Sequence, residues 1–196
     1  MVFKNGYIKL MGNLADDLKN ALSSVISGAG DIVATARDVA KENVVRGVAG
    51  VGEVTTSGIT TVSEIVSVGV GAVVSTGTSL VDGVTGLVEG TVDGAKDVGV
   101  STTAAASEAA SSAIKSANQV GAALGDVAIG AVQGAIKAAA DLGEDSGELA
   151  KSAVLGTLRA ADEIGSEAGG IVRKALLGAA ALPHDIIDAL LSGNKE

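Results

Sequence analysis

The residues able to do acid–base or metal chemistry are few and far apart. Adjacent acids occur at Asp16/Asp17, Glu144/Asp145 and Asp162/Glu163, pairs that can bind a cation. All three fall on the polar side of the pattern described below, where a solvated face accounts for them. The one histidine, His184, follows Pro183 and precedes Asp185. No elbow motif sets a Ser or Thr beside that dyad, and Pro183 reads as the first residue of a last helix. The chain has no Cys, which excludes disulfides, a thiolate nucleophile and Cys-ligated metal. A single His excludes a multi-His metal site. The segments GAGDIV, GVGEVT and GVGAVV carry the first two glycines of a GxGxxG phosphate loop and lack the third, and no Gly precedes a Lys-Ser/Thr pair at Walker spacing. The expectation is therefore no catalytic residue, no metal ligand, no cofactor and no enzyme.

Composition explains the shortage. The 196 residues include 28 Gly, one Phe, one Tyr and no Trp, with a formal charge of −9. An acidic balance argues against nucleic acid, because phosphate binding needs clustered Lys and Arg. Mean hydropathy is nevertheless +0.44, so an apolar face must be covered somewhere. The N-terminal stretch does not read as a signal peptide, since Lys9, Asp16, Asp17 and Lys19 interrupt it. The longest uncharged stretch, Ile65–Val81, is 17 residues with five Ser/Thr and three Gly, short of the ~20 apolar residues that span a bilayer. A cytoplasmic or peripheral-membrane location is expected.

The dominant signal is an internal repeat of 22 residues. GTVDGAKDVG (Gly90–Gly99), SAIKSANQVG (Ser112–Gly121), GAIKAAADLG (Gly134–Gly143) and GTLRAADEIG (Gly156–Gly165) align at that offset. The frame extends upstream to Ser24 and downstream through GAAALPHDII. This divides the chain into a non-repeat segment 1–23, seven full copies over 24–177, and a truncated copy with a C-terminal amphipathic helix over 178–196.

Twenty-two residues are two hendecads, and eleven residues make three turns at about 3.67 per turn. Apolar residues recur at steps of 3 and 4, which is a helix signal. The stripe includes Ile26, Val48, Val70, Val73, Val92, Ile114, Ile136, Leu142, Leu158 and Ile164. The expected fold is all-α: long hendecad-repeat helices joined through this stripe in an oligomeric bundle or tube. Two readings of the copy boundaries stand. Constant phase favours helices running through them. The glycines closing five copies, Gly77, Gly99, Gly121, Gly143 and Gly165, allow helices of ~18 residues joined by tight turns.

Gly86, Gly90 and Gly94 make two successive GxxxG steps, and Gly121/Gly125 repeats the spacing. Such positions remove side-chain bulk and let helices pack closely. Val, Ile and Thr dominate residues 44–92, whereas residues 104–181 are rich in Ala. The first half is the one prone to cross-β pairing when uncovered.

The stretch from Val44 to Ala106, including TSLVDGVTGLVEGTVDGAKDVG, resembles the 11-residue repeats of synucleins and perilipins. That resemblance implies an amphipathic helix on a lipid surface. The departure is charge: those families carry Lys at the face boundaries, and no basic residue lies between Arg46 and Lys96 here. Late-embryogenesis-type proteins also use 11-mers but are more hydrophilic. An architectural analogy links the repeat to the helical membrane-stalk subunits of large uptake hydrogenases.

The ends differ from the middle. Phe3, Tyr7 and Met11 form a candidate partner-docking segment, since aromatics and Met are enriched in interface cores. Leu182, Ile186, Ile187, Leu190 and Leu191 form the bulkiest apolar face of the chain, suited to capping the array or touching a membrane. The function expected is a structural scaffold that self-assembles, a homo-oligomer, with a lipid surface or a larger protein complex as the other candidate partner.

Overall fold

A computed structural model describes residues 16–24, 31–49 and 54–183, and every regular element among them is helical. These are α1 (16–24), α2 (Ile32–Ala49), α3 (Val54–Thr76), α4 (Leu80–Asp97), α5 (Thr102–Val120), α6 (Leu124–Leu142), α7 (Ser146–Ile164) and α8 (Ser166–Gly178).

Local chemistry sets these boundaries. Ser79 and Ser101 cap α4 and α5, their hydroxyls accepting from the backbone N–H of Asp82 and Ala104 at 3.3 Å each. Asp145 caps α7 by accepting from Gly147 and Glu148, and Asp31 does the same for Val33 and Ala34 at the head of α2. Each cap satisfies amide groups that the first helical turn leaves unpaired. The exits are made by glycine. Gly77, Gly99, Gly121 and Gly143 lie at φ between 66° and 78°, and Gly165 at φ 152°. Side chains disfavour this region. Behind Gly121 and Gly143 the next amides, Ala122 and Glu144, donate back to Ala117 and Ala139 at 2.8 Å, the bond that completes a Schellman turn.

The helix running unbroken through copy boundaries is therefore corrected. One copy is one helix plus one turn, and the five closing glycines are its stops. Their positive φ ends the helical hydrogen-bond ladder, whatever the phase of the apolar stripe.

Consecutive helices are antiparallel. Between α3 and α4, Gly69 lies against Leu87 and Gly83 against Val73, so one index falls as the other rises. Next-but-one helices are parallel neighbours: Gly130 and Gly134 of α6 face Val81 and Thr85 of α4, and Gly156 of α7 faces Ser107 of α5. The result is two layers, α2, α4, α6 and α8 in one and α3, α5 and α7 in the other. Two copies, 44 residues, form one hairpin, as the starts of α4 and α6 (Leu80, Leu124) and of α5 and α7 (Thr102, Ser146) show. The core lies between the layers and is built from small side chains: Val84, Leu87, Val88 and Val92 of α4 with Ala109, Ala113 and Ile114 of α5 and Ala131, Val132 and Ala135 of α6 are all fully buried.

Candidate functional site: a charged seam beside glycine contacts

The middle helix of the even layer, α4, carries the pattern Gly-x-x-acid three times: Gly86 to Glu89, Gly90 to Asp93 and Gly94 to Asp97. Glycines and acids each recur at i, i+4, so they form two adjacent stripes on one side of the helix. The glycine stripe meets the backbone of α2. A β-carbon at Gly86 or Gly90 would overlap the carbonyl oxygen of Val33 or Arg37, and one at Gly94 would lie 3.0 Å from that of Lys41 and 2.8 Å from Val44 Cβ. The acid stripe then falls beside the basic residues of α2. Arg37 Nη1 donates to Glu89 Oε1 at 3.2 Å and to Asp141 Oδ2 of α6 at 3.3 Å, while Lys41 Nζ lies 3.0 Å from Asp97 Oδ2. One guanidinium thus links three parallel helices.

Glu89 and Asp93 sit deepest in this seam, 4% and 6% exposed. Glu89 Oε2 and Asp93 Oδ1 have no hydrogen-bond partner among the described residues. Burial pushes both carboxyls above the usual carboxylate range; Arg37 and Lys137 pull Glu89 back, Lys41 and Arg37 pull Asp93 back, and Asp141 pushes both upward. The Glu89 hydrogen bond in turn raises the pKa of Arg37. At the far end of α4, Lys96 binds Glu144 of the α6–α7 turn, and Thr102 Oγ1 donates to the same carboxylate at 2.6 Å. These partners hold Glu144 below the usual range, Lys96 most strongly.

Chemically, the seam fixes register. It pairs charges across parallel helices, and the one hydroxyl described there against a carboxylate, that of Thr102, shares Glu144 with Lys96. No group of three or more His, Cys, Asp or Glu placed to hold a metal occurs among the described residues. The sequence reading missed Arg37, Glu89, Asp93 and Asp141 as a unit; the threefold Gly-x-x-acid pattern was the available signal.

Val48, Val70, Val73, Val92, Ile114 and Leu158 of the expected self-association face are buried, and Ile136, Leu142 and Ile164 pack half-buried against the same core. Their cover is the chain's own neighbouring helices. The breaks at glycine fold the stripe onto itself, so these residues are covered within one chain. Ile26 lies outside the described residues.

Gly86, Gly90 and Gly94 make the close approaches described above, within one chain, and Gly125 lies 2.9 Å, on the same measure, from Ala175 Cβ of α8. Gly121 is corrected: it terminates α5 at φ 70° with open space around it and takes no part in helix packing. Leu182 is buried. Phe3, Tyr7, Met11, Ile186, Ile187, Leu190, Leu191 and His184 lie outside the described residues.

Among the described residues, Gly58–Thr76 of α3 is the one helical segment long and apolar enough to cross a membrane by length and composition, and half of it is buried inside the stack. Compared with known proteins, the chain matches no family model, no curated protein and no solved structure.

Proposed function

We propose that this chain is a structural scaffold: an acidic two-layer helical stack that spaces or tethers partner proteins and performs no chemistry of its own. The observation that carries this reading is how its polar groups are used. Arg37, Glu89, Asp141, Lys96 and Glu144 join one hairpin to the next. The Ala, Gly and Val faces are likewise taken up by packing between hairpins. A stack built this way repeats its outer surface at fixed spacing, which suits a spacer. Phe3, Tyr7 and Met11 supply the tethering end in this reading. Homo-oligomers, where they form, use the ends of the stack.

The second reading is a lipid-surface protein, favoured by the apolar character of α3. Circular dichroism with and without neutral vesicles separates the two. The scaffold reading expects strong helicity in buffer, unchanged by lipid. Helix that forms only with vesicles would overturn it in favour of lipid binding.

A further inference from the structure

The two-layer stack leaves one side of α7 open, and the repeat specifies what fits it. In α5 the equivalent side is covered by α7. The Ser107 carbonyl oxygen overlaps the position of a β-carbon on Gly156, and Lys115 Nζ lies 2.8 Å from Glu163 Oε2. Ser111, between Ser107 and Lys115 on the same side, is 7% exposed. Two copies later the same columns in α7 are Lys151, Leu155 and Arg159. Leu155 is 41% exposed. Lys151 and Arg159 flank it, both exposed and neither with an ion-pair partner among the described residues. Of the five large apolar side chains exposed among the described residues, three (Leu155, Ile171 and Leu177) lie on α7 and α8. The last helix of each layer thus presents apolar surface, where an array that ends in water needs a polar face.

The outer side of α2 is built differently. Where α4 sets Gly86 and Gly90, and α6 sets Gly130 and Gly134, against a parallel neighbour, the same columns in α2 are Glu42 and Arg46, exposed and ion-paired with each other. A second copy added head to tail would bring its α8 onto these two side chains, where glycine would have admitted it. A two-fold pairing about Leu155 fits no better, since it sets Lys151 of each copy against Arg159 of the other, like charge against like. The contacts between α5 and α7 instead give the occupant's chemistry. Gly156 and Glu163 are seven residues apart on one helix, the first admitting close backbone approach and the second answering a cation. A helix with that spacing meets Lys151 and Arg159 as α7 meets Ser107 and Lys115.

We propose that the open side of α7 docks an α-helix of another protein, parallel to α7, with Gly or Ala over the Lys151 backbone and Asp or Glu seven residues later against Arg159. Leu155 supplies apolar contact, and the charge pair fixes register. The proposal rests on the scaffold reading above and names the kind of partner the scaffold tethers.

The α7 sequence itself is the probe. A labelled peptide of Ser146–Ile164, stapled as a helix on the side away from Gly156 and Glu163, is titrated with the full chain and followed by fluorescence anisotropy. Saturable binding is expected. Arg159→Glu in the chain should weaken it about fivefold, and Glu163→Lys in the peptide should restore it in that background. Leu155→Asp should weaken it about tenfold, and Gly156→Leu in the peptide should abolish it. No saturable binding, or binding indifferent to Arg159 and Leu155, overturns the proposal. Binding that depends on Lys115 instead does so too, because the peptide would then have displaced α7 from α5. Self-association removed by Leu155→Asp would assign the side to a second copy. Sedimentation with phosphatidylserine vesicles, removed by Arg159→Glu, would assign it to a membrane, and binding gained only on deletion of residues 184–196 would assign it to the chain's own end. Circular dichroism run alongside separates this proposal from the reading it rests on. A chain that is helical in buffer and fails to bind loses the docking side and keeps the scaffold reading, whereas a chain helical only with vesicles loses both.

Discussion

Thr85 and Gly134 face each other across α4 and α6 so closely that a β-carbon on Gly134 would stand 2.5 Å from the Thr85 carbonyl oxygen. The same relation joins Gly90 to Arg37 on the other side of α4 and Gly156 to Ser107 in the odd layer. Parallel neighbours in both layers are thus set by glycine against a carbonyl, a backbone that cannot move aside without moving a helix.

Substitution separates the packed glycines from the open ones. Gly90→Ala or Gly134→Ala should cost roughly 2–3 kcal/mol by overpacking. Gly71, inside α3 with nothing near its missing side chain, should instead gain about 0.5–1 kcal/mol as Ala through helix propensity. Chemical denaturation of the three variants checks the opposite signs.

Asp93→Asn should stabilise the fold near pH 7 by about 1 kcal/mol, because it removes a buried charge whose Oδ1 no hydrogen bond satisfies. The folded-state pKa of Asp93 is raised, so the folded protein binds the proton more tightly than the unfolded chain. Its contribution is therefore best at low pH and declines as pH rises from the ordinary Asp range through the raised value. The advantage of Asp93→Asn should shrink on acidification over that window. Denaturation midpoints of both proteins from pH 3 to 7 measure it.

Asp162→Asn should act in the opposite sense. Arg173 holds Asp162 below its usual range through two hydrogen bonds, at 2.7 and 2.8 Å. That pair stabilises above the unfolded-state pKa and fades as pH falls through the folded one. Both partners are exposed, so the loss at neutral pH should be small and should be reduced by salt. Urea melts at low and high ionic strength read it.

Val70 and Val73 are fully buried, and Val70→Lys with Val73→Lys places two unpaired charges in the core, each costing several kcal/mol. The expected outcome is loss of cooperative unfolding by circular dichroism. A fragment of residues 44–100 separates α4 from α6 and from most of α2, leaving Val/Ile/Thr-rich helices uncovered; it should form β-rich aggregates. A fragment of 112–196 should stay soluble and helical. Thioflavin binding and sedimentation distinguish them.

Helix identity was legible in the sequence, and the glycine stops were present in it as the alternative to helices running through the copy boundaries. What misled was the meaning of constant phase. Constant phase favours an uninterrupted helix only if separate hairpin arms have no reason to keep it. They do have one. For Gly134 to meet Thr85 while Lys96 meets Glu144, each helix and each turn must have the length of its neighbour two copies away. The charged seam is hidden for a different reason: the burial of Glu89 and Asp93 depends on the glycines beside them bringing α2 across their faces, a contact between distant parts of the chain.

One copy is one helix, and the stripe folds back on itself within a single chain. The chain has no Cys, so Asp38→Cys and Ala140→Cys, at exposed positions on α2 and α6, give unique sites for two nitroxide labels. Double electron–electron resonance on doubly labelled chain diluted into unlabelled chain should return a distance of about 20–30 Å, two helix spacings plus the label arms. A continuous helix would separate the same positions by about 150 Å at 1.5 Å per residue. Absence of any short distance under dilution would contradict the stack.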